Sequence, residues 1–339
     1  MMDYRGIKMR IVGTGLLCLD IIHNNRDVIL MNGGTCANVL TVLAQLGEEV
    51  TVLIPRYNTD DQKEFFYKTL EEMDVNCVYY CKTKKNIPRI IEVYDEKKRH
   101  LFYTKCWKCE KDLLGNRFIT QKEAEILMPQ IMDNDVFFTD RISSGIKYIA
   151  REYMSMNKKV IYEPNSARNL KAVIEMSKLA NVVKFSTDRI SLETAGIILE
   201  QCAEGALELV IATQGEKGMS FCYRIDNKNF SEWIEGPNIE FMQIKDTSGA
   251  GDWLTAGFLH FWSQAGYSLD KDVIFDILKR ALDLSAICSR IEGAQGAFYD
   301  RELFDCLKEK YHIVLRDKMI MKIPETCRDD RCVCDNCFI

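Results

Sequence analysis

Short β-branched or aromatic runs alternate along the chain with stretches in which apolar residues recur every three or four positions. Met9–Val12 has the composition of a strand. Ala37–Leu46, apolar at Val39, Leu40, Val42, Leu43 and Leu46, has the spacing of a helix stopped by Gly47. A strand at Val50–Ile54 and a helix near Gln62–Met73 follow, then strands at Asp135–Thr139, Lys159–Tyr162, Val182–Phe185 and Leu209–Ala212. Strands so evenly apolar are buried on both faces, so the expected fold is α/β with a mostly parallel, doubly wound sheet.

Two segments break the rhythm, Cys18–Met31 and Arg89–Tyr103. In the second, Ile90–Tyr94 and His100–Tyr103 flank the charged turn Asp95–Arg99, which predicts a β-hairpin outside the main sheet. No internal repeat or low-complexity block occurs. Residues 1–323 read as one domain, with segments at about 17–32 and 88–105 set apart from the main sheet and 324–339 as an appended tail.

With 339 residues and 47% hydrophobic side chains the chain can bury a substantial core. A net charge of −5, with Lys and Arg interspersed among acidic residues, argues against a nucleic-acid-binding surface; an anionic substrate would need a local cationic site. No apolar signal region or membrane-length run is present, so a soluble cytoplasmic protein is expected, with no membrane partner. Most of the 14 cysteines lie in apolar segments and read as reduced core residues. Cys106 with Cys109 and the tail set Cys327, Cys332, Cys334 and Cys337 stand apart. Their compact spacing could suit zinc or an iron–sulfur cluster, but it matches no paired CxxC knuckle and the tail holds no His, so a reduced tail is the reading preferred here.

The candidate chemistry centres on Asp246–Asp252, DTSGAGD, which runs into Leu254, Phe258, Phe261 and Trp262 at helical spacing. Residues 249–252 should therefore open a buried helix, whose unpaired amides and dipole make an anion site, while Asp252 can take a proton from an alcohol. Upstream, Asn32-Gly33-Gly34-Thr35-Cys36-Ala37-Asn38 places a diglycine before another helix, where glycine lets the backbone approach a ligand closely. Thr213-Gln214-Gly215-Glu216-Lys217-Gly218 follows the Leu209–Ala212 strand and can bring amides and a hydroxyl to phosphate oxygens, or serve as a plain hairpin turn. Gly13-Thr14-Gly15 lacks the third glycine of a dinucleotide fingerprint, and no GxxxxGK[ST] loop occurs.

These segments resemble, in order, the signatures of the PfkB, or ribokinase-like, carbohydrate kinases: GGxxxN at Gly33, Gly34 and Asn38, TxGxxG at Thr213, Gly215 and Gly218, DTxGAGD at 246–252, and a late GA at Gly293 and Ala294. The resemblance covers about Met9 to Leu307. It implies a three-layer α/β/α fold with a small β-sheet lid, often also a dimer contact, formed by the two irregular segments. It also implies Asp252 as catalytic base, Gly249, Ala250 and Gly251 as the anion hole, and Asp20, Gly33, Gly34 and Asn38 as sugar contacts. ATP, Mg²⁺ and a monovalent cation are the implied cofactors. Thr213, Gly215, Gly218, Gly293, Ala294, Lys184 and Ser186 are the implied nucleotide contacts.

Two departures stand out. Where relatives carry NxxE, this chain has Lys184-Phe185-Ser186-Thr187-Asp188-Arg189 without the Glu; Glu163-Pro164-Asn165 resembles the family's DPN, so Glu163, Asn165 and Asp188 remain as candidates around Mg²⁺. Asp140 and Arg141 stand where many relatives have a small residue, and read either as a reader of a phosphate or carboxylate on the substrate or as a surface salt bridge. ATP-dependent phosphorylation of a sugar hydroxyl is the expected function. A nucleoside kinase and a non-catalytic binding homologue are the alternatives.

Overall fold

The computed structural model describes residues 8–24, 27–57, 61–94, 100–115, 117–238 and 244–300, together with 302, 305 and 309. The charged turn Asp95–Arg99, Cys306 and the tail cysteines lie outside the described residues. The chain runs through β1 (Arg10–Thr14), β2 (Cys18–Asn24), β3 (Asp27–Gly33), α1 (Thr35–Gln45), β4 (Glu49–Tyr57), α2 (Asp61–Glu72), β5 (Val75–Thr83), β6 (Arg89–Tyr94) and β7 (His100–Tyr103). It continues with α3 (Gln121–Ile131), β8 (Val136–Thr139), α4 (Ser144–Ser155), β9 (Lys159–Tyr162), α5 (Leu170–Ser177), β10 (Val182–Ser186), α6 (Leu192–Gln201) and β11 (Leu209–Thr213). β12 (Met219–Tyr223), β13 (Ile234–Glu235), α7 (Ala250–Gln264) and α8 (Lys271–Cys288) complete the order.

By internal contacts the described residues fall into two compact units. Those within Met1–Gly15, Phe118–Glu240 and Leu254–Asp283 form the first, and those within Leu16–Arg117, Phe241–Trp253 and Leu284–Ile339 the second. In the first unit the strand order is β13-β12-β11-β10-β9-β8-β1. β1, β8, β9, β10 and β11 are parallel, and β12 and β13 join antiparallel at the edge. β8 and all but the end residues of β9, β10 and β11 are buried, because helices cover strands linked by crossover connections. The helices begin where side chains satisfy their first amides: Thr120 and Glu123 form a capping box on α3, while Ser143, Asn169 and Ser191 cap α4, α5 and α6.

The second unit holds the parallel pair β4 and β5 and a separate four-stranded sheet, order β3-β2-β6-β7. Its strands come from the two segments that broke the sequence rhythm. Side chains alternate between the faces of this small sheet. Ile21 and Ile91 on one face pack with Cys106 and Leu113 of the same unit, so Cys106 is a core residue, while Cys109 is exposed. Asp20 and Glu92 occupy the other face, both buried. Among the described residues no helix is long and apolar enough to cross a membrane.

Candidate active site

In the second unit α7 starts at Ala250, directly after Gly249, whose φ of 72° is a left-handed conformation that glycine adopts at no steric cost. This places Asp252, half-buried, in the first helical turn, beside the amides that open the helix. The Ala250 amide makes a long 3.2 Å bond back to Thr247 O. Asp246 anchors the loop: Oδ1 accepts from the Ser248 amide at 2.7 Å and Oδ2 from the Gly293 amide at 2.6 Å. Ala294 O in turn accepts from the Trp253 indole at 2.8 Å. Gly293 and Ala294, read from the sequence as nucleotide contacts, thus pack against the DTSGAGD loop itself.

The diglycine meets the same loop. Gly34, φ 91°, is the N-cap of α1, and Asn38 lies in that helix's first turn, its amide bonded to Gly34 O. Asn38 Nδ2 donates to Asp252 Oδ2 at 2.7 Å, and Gln295 Nε2 donates to Asn38 Oδ1 at 3.2 Å. A Cβ at Gly33 would lie 1.7 Å from Asp20 Oδ2, so only glycine leaves room for that carboxylate. The GGxxxN and DTxGAGD segments, 214 residues apart between Asn38 and Asp252, are therefore joined by a direct side-chain bond.

Asp20 is buried and accepts from the Cys18 thiol at 3.2 Å. Burial pushes its carboxyl up to about 7; the Cys18 bond opposes this, the charge of Asp252 adds to it, and a hydrogen bond from Glu92 opposes it again. Burial, with the charges of Asp20 and Asp246, pushes Glu92 up to about 10, so Glu92 holds a proton at neutral pH and donates it to Asp20. Ser248 Oγ, 3.4 Å away, donates to Glu92 Oε2. Both raised carboxyls bind their protons more tightly in the folded protein than unfolded. The stability they contribute is full below the unfolded carboxylate pKa and is lost as pH rises, for Asp20 through about 7. Between about pH 5 and 8 the melting temperature of the ligand-free protein is therefore expected to fall, and thermal scans of Asp20→Asn should show a flatter fall. An equal slope in the variant would remove Asp20 as its source.

In the first unit the parallel strands end together, the edge at which such sheets bind ligands. Lys184 Nζ donates to Glu163 Oε1 at 2.6 Å, with the two side chains 5% and 11% exposed. Glu163 Oε2 accepts from Thr255 Oγ1 at 2.8 Å. Arg141 bonds Asp140 Oδ2 at 2.6 Å, the two side chains 17% and 0% exposed, so the carboxylate is buried and the guanidinium partly buried. With its amide oriented by the hydrogen-bond network, Asn165 accepts from Arg141 Nη2 at 2.9 Å. Ser186 pairs in register with Thr213, whose hydroxyl donates to Phe185 O at 3.3 Å. The 214–218 loop joins β11 to antiparallel β12, with Gly215 at φ 60° and Gly218 at φ 85°, so it is a hairpin connection as well as a glycine-rich loop.

The residues the sequence offers to Mg²⁺ are not gathered into one ligand set. Both oxygens of Glu163 are engaged, Asn165 faces a guanidinium, and Asp188 is exposed on a turn whose amide bonds Ser186 Oγ. Among the described residues no group of three or more His, Cys, Asp or Glu could hold a metal ion. These residues do not fit a protein-anchored Mg²⁺.

Sequence reasoning missed Glu92, Gln295 and Thr255, and gave Asp246 no role. Glu92 had a signal, being a carboxylate between Ile91 and Val93 on the alternate face of a strand; Gln295 and Thr255 had none.

No protein-family model matches the chain, and no curated protein does. Solved structures do. A ribokinase from Giardia lamblia aligns with a TM-score of 0.71 at 12% identity, over 88% of this chain and 99% of the other. An adenosine kinase from Schistosoma mansoni in complex with 2-fluoroadenosine gives 0.68 at 16%, over 84% and 96%. A fructokinase from Xylella fastidiosa with bound ATP gives 0.68 at 17%, over 90% and 100%. The chain has the ribokinase-like fold these kinases share.

Proposed function

We propose that this ribokinase-like chain transfers the γ-phosphoryl group of ATP to a hydroxyl of a sugar or sugar-like acceptor. The observation that carries the reading is the Asn38–Asp252 bond, which joins the diglycine and the DTSGAGD helix start around one carboxylate. Asp20 and Asn38 orient the acceptor by accepting and donating hydrogen bonds to its hydroxyls. Asp252 accepts the attacking hydroxyl's proton as its oxygen bonds to the γ-phosphorus in line, and the bond from that phosphorus to the ADP oxygen breaks. Amides at 249–251 and the positive end of α7 stabilise the charge spreading over the γ-oxygens. The Thr213–Gly218 loop, Ser186 and Lys184 hold the nucleotide. Asp140 and Arg141 hold each other and shape the edge of the first unit.

A second reading, a nucleoside acceptor, is favoured by Phe102. It pairs in register with Glu92, so an exposed aromatic ring shares a face of the small sheet with Asp20 and Glu92 and suits stacking on a base. An ATP-consumption screen over sugars, phosphosugars and nucleosides separates the two. One class is expected to support turnover; ATP binding with no turnover on any acceptor would instead favour a non-catalytic homologue.

A further inference from the structure

β6 is apolar at Ile90, Ile91 and Val93, and Glu92 interrupts it with an acid that is 2% exposed. A buried carboxyl persists only with partners, and Glu92 has them on two sides. Asp20 pairs in register with Ile90, and Ile22 with Glu92. Strand alternation therefore puts Asp20 and Glu92 on one face of the small sheet, where the two carboxyls are hydrogen-bonded. From the other side Ser248 Oγ reaches Glu92 Oε2 at 3.4 Å, and the Ser248 amide is fixed by Asp246 Oδ1 at 2.7 Å. One side chain of the small sheet thus touches both Asp20 and the loop that opens α7. An ionised carboxylate has about four acceptor positions. The Cys18 thiol and Glu92 engage part of those on Asp20 and so set the plane of the rest. A protonated carboxyl can donate to Asp20 while accepting from Ser248, which an ionised one cannot.

We propose that Glu92 is a positioning residue of the acceptor site: bridging Ser248 and Asp20, it holds the Asp20 carboxylate in the orientation that accepts hydrogen bonds from the acceptor's hydroxyls, and ties that orientation to the loop presenting the anion-hole amides. Glu92 acts through Asp20 and takes no proton from the attacking hydroxyl. The inference rests on the kinase reading above.

Steady-state kinetics of the full-length protein with the acceptor found by screening tests it, with ATP binding as the sign of a folded variant. Leucine at 92 can neither donate nor accept, so Glu92→Leu should raise the acceptor KM by about tenfold or more while kcat and the dissociation constant for ATP stay within about threefold. Glutamine donates to Asp20 and accepts from Ser248 as the protonated acid does, so Glu92→Gln should keep KM within about threefold of wild type. Where leucine prevents folding, the glutamine variant, of nearly the same shape, decides alone. Because the effect passes through Asp20, adding Glu92→Leu to Asp20→Asn should raise KM by less than about threefold more. Asp20 faces Cys18, Glu92, Asp246 and Asp252, and the Glu92 bond favours its ionised form. Losing that bond in Glu92→Leu should move the acid limb of kcat/KM to higher pH by about half a pH unit or more. An unchanged acceptor KM or an unmoved acid limb in Glu92→Leu, a rise of about tenfold in Glu92→Gln, or equal losses from Glu92→Leu with and without Asp20 would overturn the inference while leaving the kinase reading standing. No phosphoryl transfer by wild type to any acceptor would overturn both.

Discussion

Asp252→Asn is expected to lower kcat by about 10²–10⁴-fold, the usual contribution of a positioned proton acceptor, while the dissociation constant for ATP stays within about threefold. The size follows from what the substitution removes. An amide has nearly the volume of the carboxylate and its oxygen can still accept from Asn38 Nδ2, so the bond between α1 and the start of α7 is retained. The proton acceptor is what disappears. Because the lost interaction belongs to the transition state, kcat and kcat/KM should fall together. Steady-state kinetics with the acceptor found by screening, beside equilibrium ATP binding, gives both numbers. Near-wild-type turnover would remove Asp252 from the role of base.

Gly249→Ala should produce the largest loss of stability. Its φ of 72° is one that an L side chain adopts only with strain, at a cost of about 1–3 kcal/mol. The added Cβ would also lie 2.5 Å from Ala294 Cβ and 2.7 Å from Ala294 Cα, so backbone must move, at a further cost of about 1–3 kcal/mol. Together these come to about 2–6 kcal/mol, a large part of a typical domain's stability. The strain falls on the loop that presents the anion-hole amides, so any protein that folds should also lose turnover. Denaturant unfolding measures the first effect and kinetics the second. A variant as stable and active as wild type would mean that the loop adopts another conformation.

What the sequence revealed was mostly local. The predicted strands at Lys159–Tyr162 and Val182–Phe185 coincide with β9 and most of β10, because parallel strands covered on both faces are apolar throughout. β5, Val75–Thr83, went unpredicted: its residues are mostly half-buried or exposed, and tyrosine, cysteine and lysine blur the alternation. The glycines and Asp252 were legible because a helix start must be built from neighbouring residues. Gln295 on Asn38 and Ser248 on Glu92 join residues 257 and 156 positions apart, and no periodicity carries that information. The chemistry of Asp20 was likewise hidden. Its role as a sugar contact was implied by the resemblance, but the burial that raises its pKa and the Glu92 hydrogen bond that opposes the rise arise only when β2 and β6 pair.

The reading as a phosphotransferase to an alcohol, with Asp252 as base, is tested most directly by following the γ-phosphoryl group itself. ATP labelled on the γ-phosphorus is incubated with wild type or Asp252→Asn and the accepted sugar or nucleoside, and the products are separated by mass. Wild type should place most of the label in a phosphate monoester of the acceptor, and Asp252→Asn should form that ester slower by about 10²–10⁴-fold. Label that appears only as inorganic phosphate, or ester formed at equal rates by both proteins, would contradict the account.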